Sequence, residues 1–195
     1  MNTELLEQLD NAFQEIGISL KQRDSLTSLL DHLKNKNSRV YEHSLRVGLK
    51  GREVERFTLE VRPNSLFYGG LLHDIGVVVN EKDHHIRAYY MLRGSYNFSA
   101  RIALNHKNHI KRLHDDLPFT EDERKLNDYC STLIGLIDRH DELTSQEVPD
   151  NYEPINPQLR AIIRENLILE YGGLKDLNGN QLGRFIDNLY RKGVF

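Results

Sequence analysis

The chain holds a single cysteine, Cys130, and no tryptophan in 195 residues. One thiol cannot form an internal disulfide, so packing must carry the fold, and a reducing compartment, the cytoplasm, is the expected setting. Positive charge is scarce too, with 26 Lys and Arg against 29 Asp and Glu and a net charge of -3. That balance lacks the basic footprint of nucleic-acid binders and excludes general duplex binding. No uninterrupted apolar run approaches the roughly 18 residues of a membrane span. The polar N-terminus also lacks the charged-then-apolar layout of a signal peptide, so a soluble protein without membrane contact is expected. Glycine-rich phosphate loops, repeats, low-complexity tracts and strand-like alternation are missing as well, which leaves an all-α fold. Against these absences stand nine histidines. They raise the prospect of a metal site, and their positions decide it.

Apolar residues recur at Leu5, Leu6, Leu9, Phe13 and Ile16, then at Leu26, Leu29, Leu30 and Leu33, which predicts two amphipathic helices parted at Gly17. They form an N-terminal extension, residues 1–37, packed on a domain of residues 38–195; His32 reads as a surface histidine. After the turn Asn35 to Ser38, the next helix turns Val40, His43, Val47, Gly51 and Val54 inward. Pro63 is expected to begin the helix that ends in Gly69-Gly70-Leu71-Leu72-His73-Asp74-Ile75-Gly76. There Leu66, Gly70 and His73 share a face, the glycine pair admits a close neighbour, and Gly76 supplies the stop.

Beyond the apolar strip Val77 to Val79, a helix starting within Asn80 to Asp83 should line up His84, Ala88 and Met91 and halt at Gly94. Ser99 is expected to cap the following helix, whose inner side reads Ala103, His106 and Ile110. His85 and His109 lie about a third of a turn off these lines, yet either could replace its neighbour. Pro118 and the capping box Thr120 to Glu123 open a long helix carrying Cys130, Ile134 and Asp138 at steps of four. A tail, residues 146–195, comes next: a polar loop from Asn151 to Pro157, a helix from Gln158 to Tyr171, a break at Gly172-Gly173, a turn at Asn178-Gly179 and a short helix from Leu182 to Tyr190.

A nitrogen ligand beside an oxygen ligand, as in His73-Asp74, suits a divalent cation. Alone, the pair reads more commonly as a buried histidine satisfied by a carboxylate. Asp138 adds weight, because an acid on a buried stripe needs a metal, Arg139 or a histidine to offset the cost of burying its charge. Cys130, in phase with that stripe, reads as core.

His43, His73-Asp74 and Asp138 in this order resemble the H…HD…D signature of the HD superfamily of metal-dependent phosphohydrolases. Leu72 to Gly76 is similar to the LHDIG of its HD-GYP-like branch, His84 with Leu92 to its H…L helix, and Ile137 to Ser145 to its AD-x-x-DALTS segment. The resemblance covers about Val40 to Ser145 and implies an HD-type helical bundle. Val77 stands where that branch has a lysine thought to meet phosphate, Lys107 replaces its second paired histidine, and Asn108 to Pro118 replace its Gly-Tyr-Pro loop. Arg39 stands where three-metal members carry glutamate, which argues for one or two ions.

The resemblance implies that His43, His73, Asp74 and Asp138 hold one divalent ion, while bridging Asp74 with His84 and His106 holds a second. Two ions some 3.5–4 Å apart would acidify a bridging water and clamp phosphoryl oxygens, so Asp74 is central to catalysis and no serine or cysteine nucleophile is needed. Mixed donors suit iron or manganese, with nickel, cobalt and magnesium also open. Lys107 and Arg46 are candidates to neutralise phosphate charge. The implied activity is hydrolysis of a small-molecule phosphate ester, such as a nucleotide, by a phosphohydrolase or phosphodiesterase. The alternative is an inactive ligand-binding or signalling module. A homo-oligomer is compatible with either.

Overall fold

A single asparagine both ends and starts a helix. The first helix, α1 (Thr3–Glu15), leads through Gly17 at φ +65° to Ser19, which caps α2 (Leu20–Lys36) by accepting from Gln22 N. Asn37 then donates its N–H to Leu33 O and, through its side chain, caps α3 (Ser38–Glu55) at Val40 N. The chain continues as α4 (Ser65–Leu72), a 3-10 turn (Ile75–Val78), α5 (His84–Leu92), α6 (Asn97–Asn105), α7 (Glu121–Glu147), α8 (Pro157–Tyr171) and α9 (Leu182–Arg191). This computed structural model describes residues 3–58, 60–107, 112–147 and 156–195, and no strand forms among them; His109 and Ile110 lie outside the described residues.

The crossing of α3 and α4 sets the spacing of the inward histidines on these two helices. A Cβ built on Gly70 would lie 2.7 Å from Gly48 Cα, so the two helices meet backbone to backbone. No larger residue permits that approach. The start of α4 is unusual: Asn64 sits at φ 65° with no side-chain cap, and Glu55 at the end of α3 supplies the acceptors instead, from Asn64 N at 3.0 Å and Leu66 N at 2.6 Å. Burial raises the Glu55 carboxyl despite these bonds. Replacing Glu55 by alanine should therefore cost ~1–2 kcal/mol, as the loss of a helix cap does. Urea unfolding checks this, and an unchanged midpoint would refute the capping role.

Several boundaries and faces differ from the sequence reading. The fourth helix begins at Ser65, two residues beyond Pro63, because Glu55 fixes its first turn. Gly76 stops nothing: it lies within the 3-10 turn, where a Cβ would collide with the His84 carbonyl and come within 2.5 Å of Ala88 N. Its role is to bring the start of α5 against Asp74. Met91 is 37% exposed and Val79 56% exposed, while Tyr89 and Leu92 turn inward beside Ala88. Ser99 is buried inside α6, whose first turn starts after Tyr96.

One apolar cluster joins α1 and α2 to α3 through α6, with Phe13, Leu26, Leu33 and Phe67 among its members; a second joins α3 and α4 to α7, α8 and α9 around Ile134, Leu167 and Ile186. The capping box at α7 is formed, with Thr120 N donating to Glu123 Oε2 at 3.1 Å and Glu123 N to Thr120 Oγ1 at 3.2 Å. Buried Arg101 donates to Asp115 at 2.6 Å, and Arg124 grips the same carboxylate at 3.1 Å, which ties the chain after α6 to α7.

Candidate metal centre

Five short segments deliver six side chains to one place. His43 lies in the second turn of α3, His73 is the C-cap of α4 with Asp74 next to it, His84 opens α5, His106 is the C-cap of α6, and Asp138 sits two-thirds along α7. His43 Nε2 lies 2.9 Å from Asp138 Oδ1 and 3.2 Å from His73 Nε2. Asp74 is shared: its Oδ2 faces His73 at 3.4 Å and His43 at 3.8 Å, whereas its Oδ1 faces His84 at 3.1 Å and His106 at 3.8 Å. Asp138 Oδ1 stands 3.7 Å from His73 Nε2, and its Oδ2 stands 4.0 Å from His106 Nε2.

The remaining ring nitrogens explain why Nε2 atoms converge. His73 Nδ1 bonds Gly70 O at 2.7 Å, His84 Nδ1 bonds Glu81 O at 2.8 Å and His106 Nδ1 bonds Ala103 O at 2.7 Å. A carbonyl only accepts, so these contacts assign the proton to Nδ1 and leave a lone pair on each Nε2. With each Nδ1 holding the proton, Asp74 Oδ1, His84 Nε2 and His106 Nε2 are buried without a hydrogen-bond partner among the described residues. Converging, buried, unsatisfied acceptors are costly and call for a cation. Ligand atoms at about 2.1 Å from an octahedral ion stand about 3 Å apart when adjacent and about 4.2 Å when opposite. The spacings of 2.9–4.0 Å fall in that window. The residues therefore fit divalent metal.

Electrostatics divide the histidines, and at His84 burial opposes charge but the hydrogen bond and charge of Asp74 raise the ring above its ordinary value. Burial pushes the His106 imidazole down to about 3, with His73 adding to the effect, so His106 is a neutral donor. Burial also opposes charge on His43, but the hydrogen bonds and charges of Asp138 and Asp141 overcome it and hold the ring up at about 10. Asp74 and Asp138 lie below the usual carboxylate range; burial raises both, and the neighbouring histidines more than offset it. A proton on His43 thus stands between its flanking acids in the metal-free chain, where a cation would otherwise be. An ion can bind only after displacing it, so affinity should rise roughly tenfold per pH unit from pH 6 to 9, with about one proton released per first ion. Titration in buffers of different ionisation enthalpy measures that release; zero protons at pH 7 would contradict it.

The other candidate side chains surround this cluster. Lys107 Nζ stands 3.9 Å from Asp138 Oδ2 and 3.5 Å from Glu142 Oε1, with its side chain 44% exposed at the mouth. Arg46 turns to Asp141 instead, donating from Nε at 2.8 Å and from Nη2 at 2.9 Å. His85 packs its ring on His84 at 5.6 Å, away from Asp74. Arg139 pairs with Glu142 and Glu170, not Asp138, and His32 bonds Ser28 O at the surface. Cys130 is buried core, its thiol pushed up by burial. Sequence reasoning gives no role to Asp141, whose Oδ2 lies 2.7 Å from His43 Nδ1. Its position three residues after Asp138, hence on the same side of α7, is the available signal.

The HD domain family matches residues 40–145, the stretch that carries all six of these side chains. No curated protein and no solved structure matches the chain.

Proposed function

The chain belongs to the HD domain family, and on that premise we propose that it is a metal-dependent phosphohydrolase or phosphodiesterase cleaving a small phosphate ester, a nucleotide in the first instance. The observation that carries this reading is the split allegiance of Asp74, one oxygen toward His43 and His73, the other toward His84 and His106. In this reading His43, His73, Asp74 and Asp138 hold one divalent ion, and Asp74, His84 and His106 hold a second, with iron or manganese suited to the mixed donors. When bound, such ions acidify a water and neutralise phosphoryl oxygens. Asp74 keeps both positions at a fixed separation, and Asp138 adds the second negative charge. Lys107, half-exposed at the mouth, meets the phosphate; Arg46 acts indirectly, through Asp141. Residues 40–145 form the working core, residues 1–37 a helical extension braced against it and residues 146–195 a tail.

The expected result is hydrolysis of bis(p-nitrophenyl) phosphate or p-nitrophenyl phosphate with added manganese, abolished by chelator. Buried Val77 favours a second reading. It puts an apolar side chain where the HD-GYP-like branch that the sequence resembles has a lysine thought to meet phosphate, which suits a module that binds without turning over. Manganese binding with no hydrolysis of either ester would select that reading. If the enzyme reading holds, Lys107→Ala should raise KM about tenfold, the worth of one charge-assisted contact, with a smaller change in kcat. An unaltered KM would remove Lys107 from the site.

A further inference from the structure

Three of the four histidines at the centre are oriented by neutral groups, since His73, His84 and His106 all direct Nδ1 to main-chain carbonyls. His43 differs, because its Nδ1 meets the carboxylate of Asp141 at 2.7 Å. That carboxylate is itself immobilised. Arg46 takes both of its oxygens, Nε on Oδ1 at 2.8 Å and Nη2 on Oδ2 at 2.9 Å, and Ser145 Oγ reaches Oδ2 at 3.5 Å. The Asp141 side chain is 13% exposed, so solvent screens the pair weakly. Asp138 and Asp141 are one turn apart on α7 and grip opposite nitrogens of the same ring, Asp138 at Nε2 and Asp141 at Nδ1.

From this asymmetry we infer that Asp141, held by Arg46, is a positioning residue that fixes the orientation of His43 and makes the two metal positions unequal, the His43 position being the tight one. This rests on the metal-centre reading above. A carboxylate on the far nitrogen raises the basicity of an imidazole ligand and locks its rotation, and removing such a partner costs 10–100-fold in metal affinity. The His43 position has Asp138 Oδ1 at 2.9 Å from His43 Nε2 in addition to Asp74, whereas at the His84 position Asp138 comes no closer than 4.0 Å, at His106 Nε2. Charge and orientation therefore both favour filling the His43 position first. Arg46, which the sequence suggests for phosphate, is spent on this brace.

Calorimetric titration of the metal-free full chain with manganese chloride tests the idea. The parent should show two classes of site differing at least tenfold in Kd. Asp141→Asn, which can still accept from Nδ1 but lacks the charge, should weaken the tight class about tenfold. Asp141→Leu, which lacks both, should weaken it about 100-fold, and in each variant the weak class should stay put. Arg46→Gln should give a smaller loss of about threefold, and it keeps the test open should the Asp141 variants fold poorly. Thermal midpoints of the chelated variants separate a structural role, because loss of stability with an unchanged tight Kd would overturn the inference. Equal weakening of both classes would overturn it too. A parent that binds no manganese at all would bring down the metal-centre reading itself, a distinguishable failure.

Discussion

Replacing Asp74 by alanine is expected to abolish ion binding at the His84 position, weaken it at the His43 position and lower turnover by on the order of a thousandfold or more. The reason is that Asp74 supplies an oxygen to each side of the centre, at 3.1 Å from His84 Nε2 and 3.4 Å from His73 Nε2. Without it, the nearest carboxylate oxygen to this pair is Asp138 Oδ2, 4.0 Å from His106 Nε2, and neutral imidazoles alone hold a hard divalent ion poorly. A metal's stabilisation of phosphoryl charge is worth several kcal/mol, and each ~1.4 kcal/mol is a factor of ten in rate. The fold should survive, since the Asp74 side chain caps no helix and its carbonyl, which accepts from Val77 N, is retained in alanine. Elemental analysis, circular dichroism and the ester assay on the same preparation decide the matter. Metal content equal to the parent's would rule out the bridging role, and loss of helical signal would make the residue structural.

The second large effect is expected at Gly70. A Cβ there would meet Gly48 Cα at 2.7 Å and Gly48 N at 2.8 Å, backbone atoms that move only if α3 and α4 separate as bodies. Gly70→Val should cost ~3 kcal/mol, the upper range for overpacking, after allowing for the better helix propensity of valine over glycine. The reciprocal change is informative because the geometry is unequal. At Gly48 the new Cβ meets chiefly the Leu71 side chain, at 2.7 Å, with backbone at 3.1 Å. Gly48→Ala should thus be milder than Gly70→Ala, because a side chain can rotate away. Chemical denaturation of the pair would refute this account if the order were reversed. Metal affinity should fall with the same ranking, since the α3–α4 crossing sets the distance from His43 to His73.

The helix carrying Cys130, Ile134 and Asp138 is legible in the sequence because a helix of 27 residues repeats its period often enough to fix its phase, and all three side chains are buried. The capping box that starts it is read from its residues alone, because the reciprocal bonds depend on local geometry. Phase is a weaker guide on α5 and α6, each nine residues long, where it misplaces Met91 and Ser99. Two and a half turns leave room for neighbouring faces to look alike. His84 and His106 come out inward nonetheless, because each sits at a helix end next to Asp74. Gly76 reads as a stop because its neighbour, the first turn of α5, is known only once the chain is folded. The same limit diverts Arg46 and hides the partner of Asp141: its place three residues after Asp138 marks its face of α7, but His43 lies 98 positions away.

That separation also orders assembly. Asp74 and His84 are joined by ten residues through the 3-10 turn, whereas His43 waits for a partner on α7. Closing the longer loop costs more chain entropy, by about (3/2)RT ln of the length ratio, or ~2 kcal/mol here, and contacts between distant segments generally slow folding. During synthesis the ribosome releases His43, His73, Asp74, His84 and His106 well before Asp138. On the proposed assignment, a half-made chain already holds Asp74, His84 and His106, while the His43 position awaits Asp138 and the docking of α7. If that assignment holds, the rate of refolding should differ between metal added before and metal added after α7 packs.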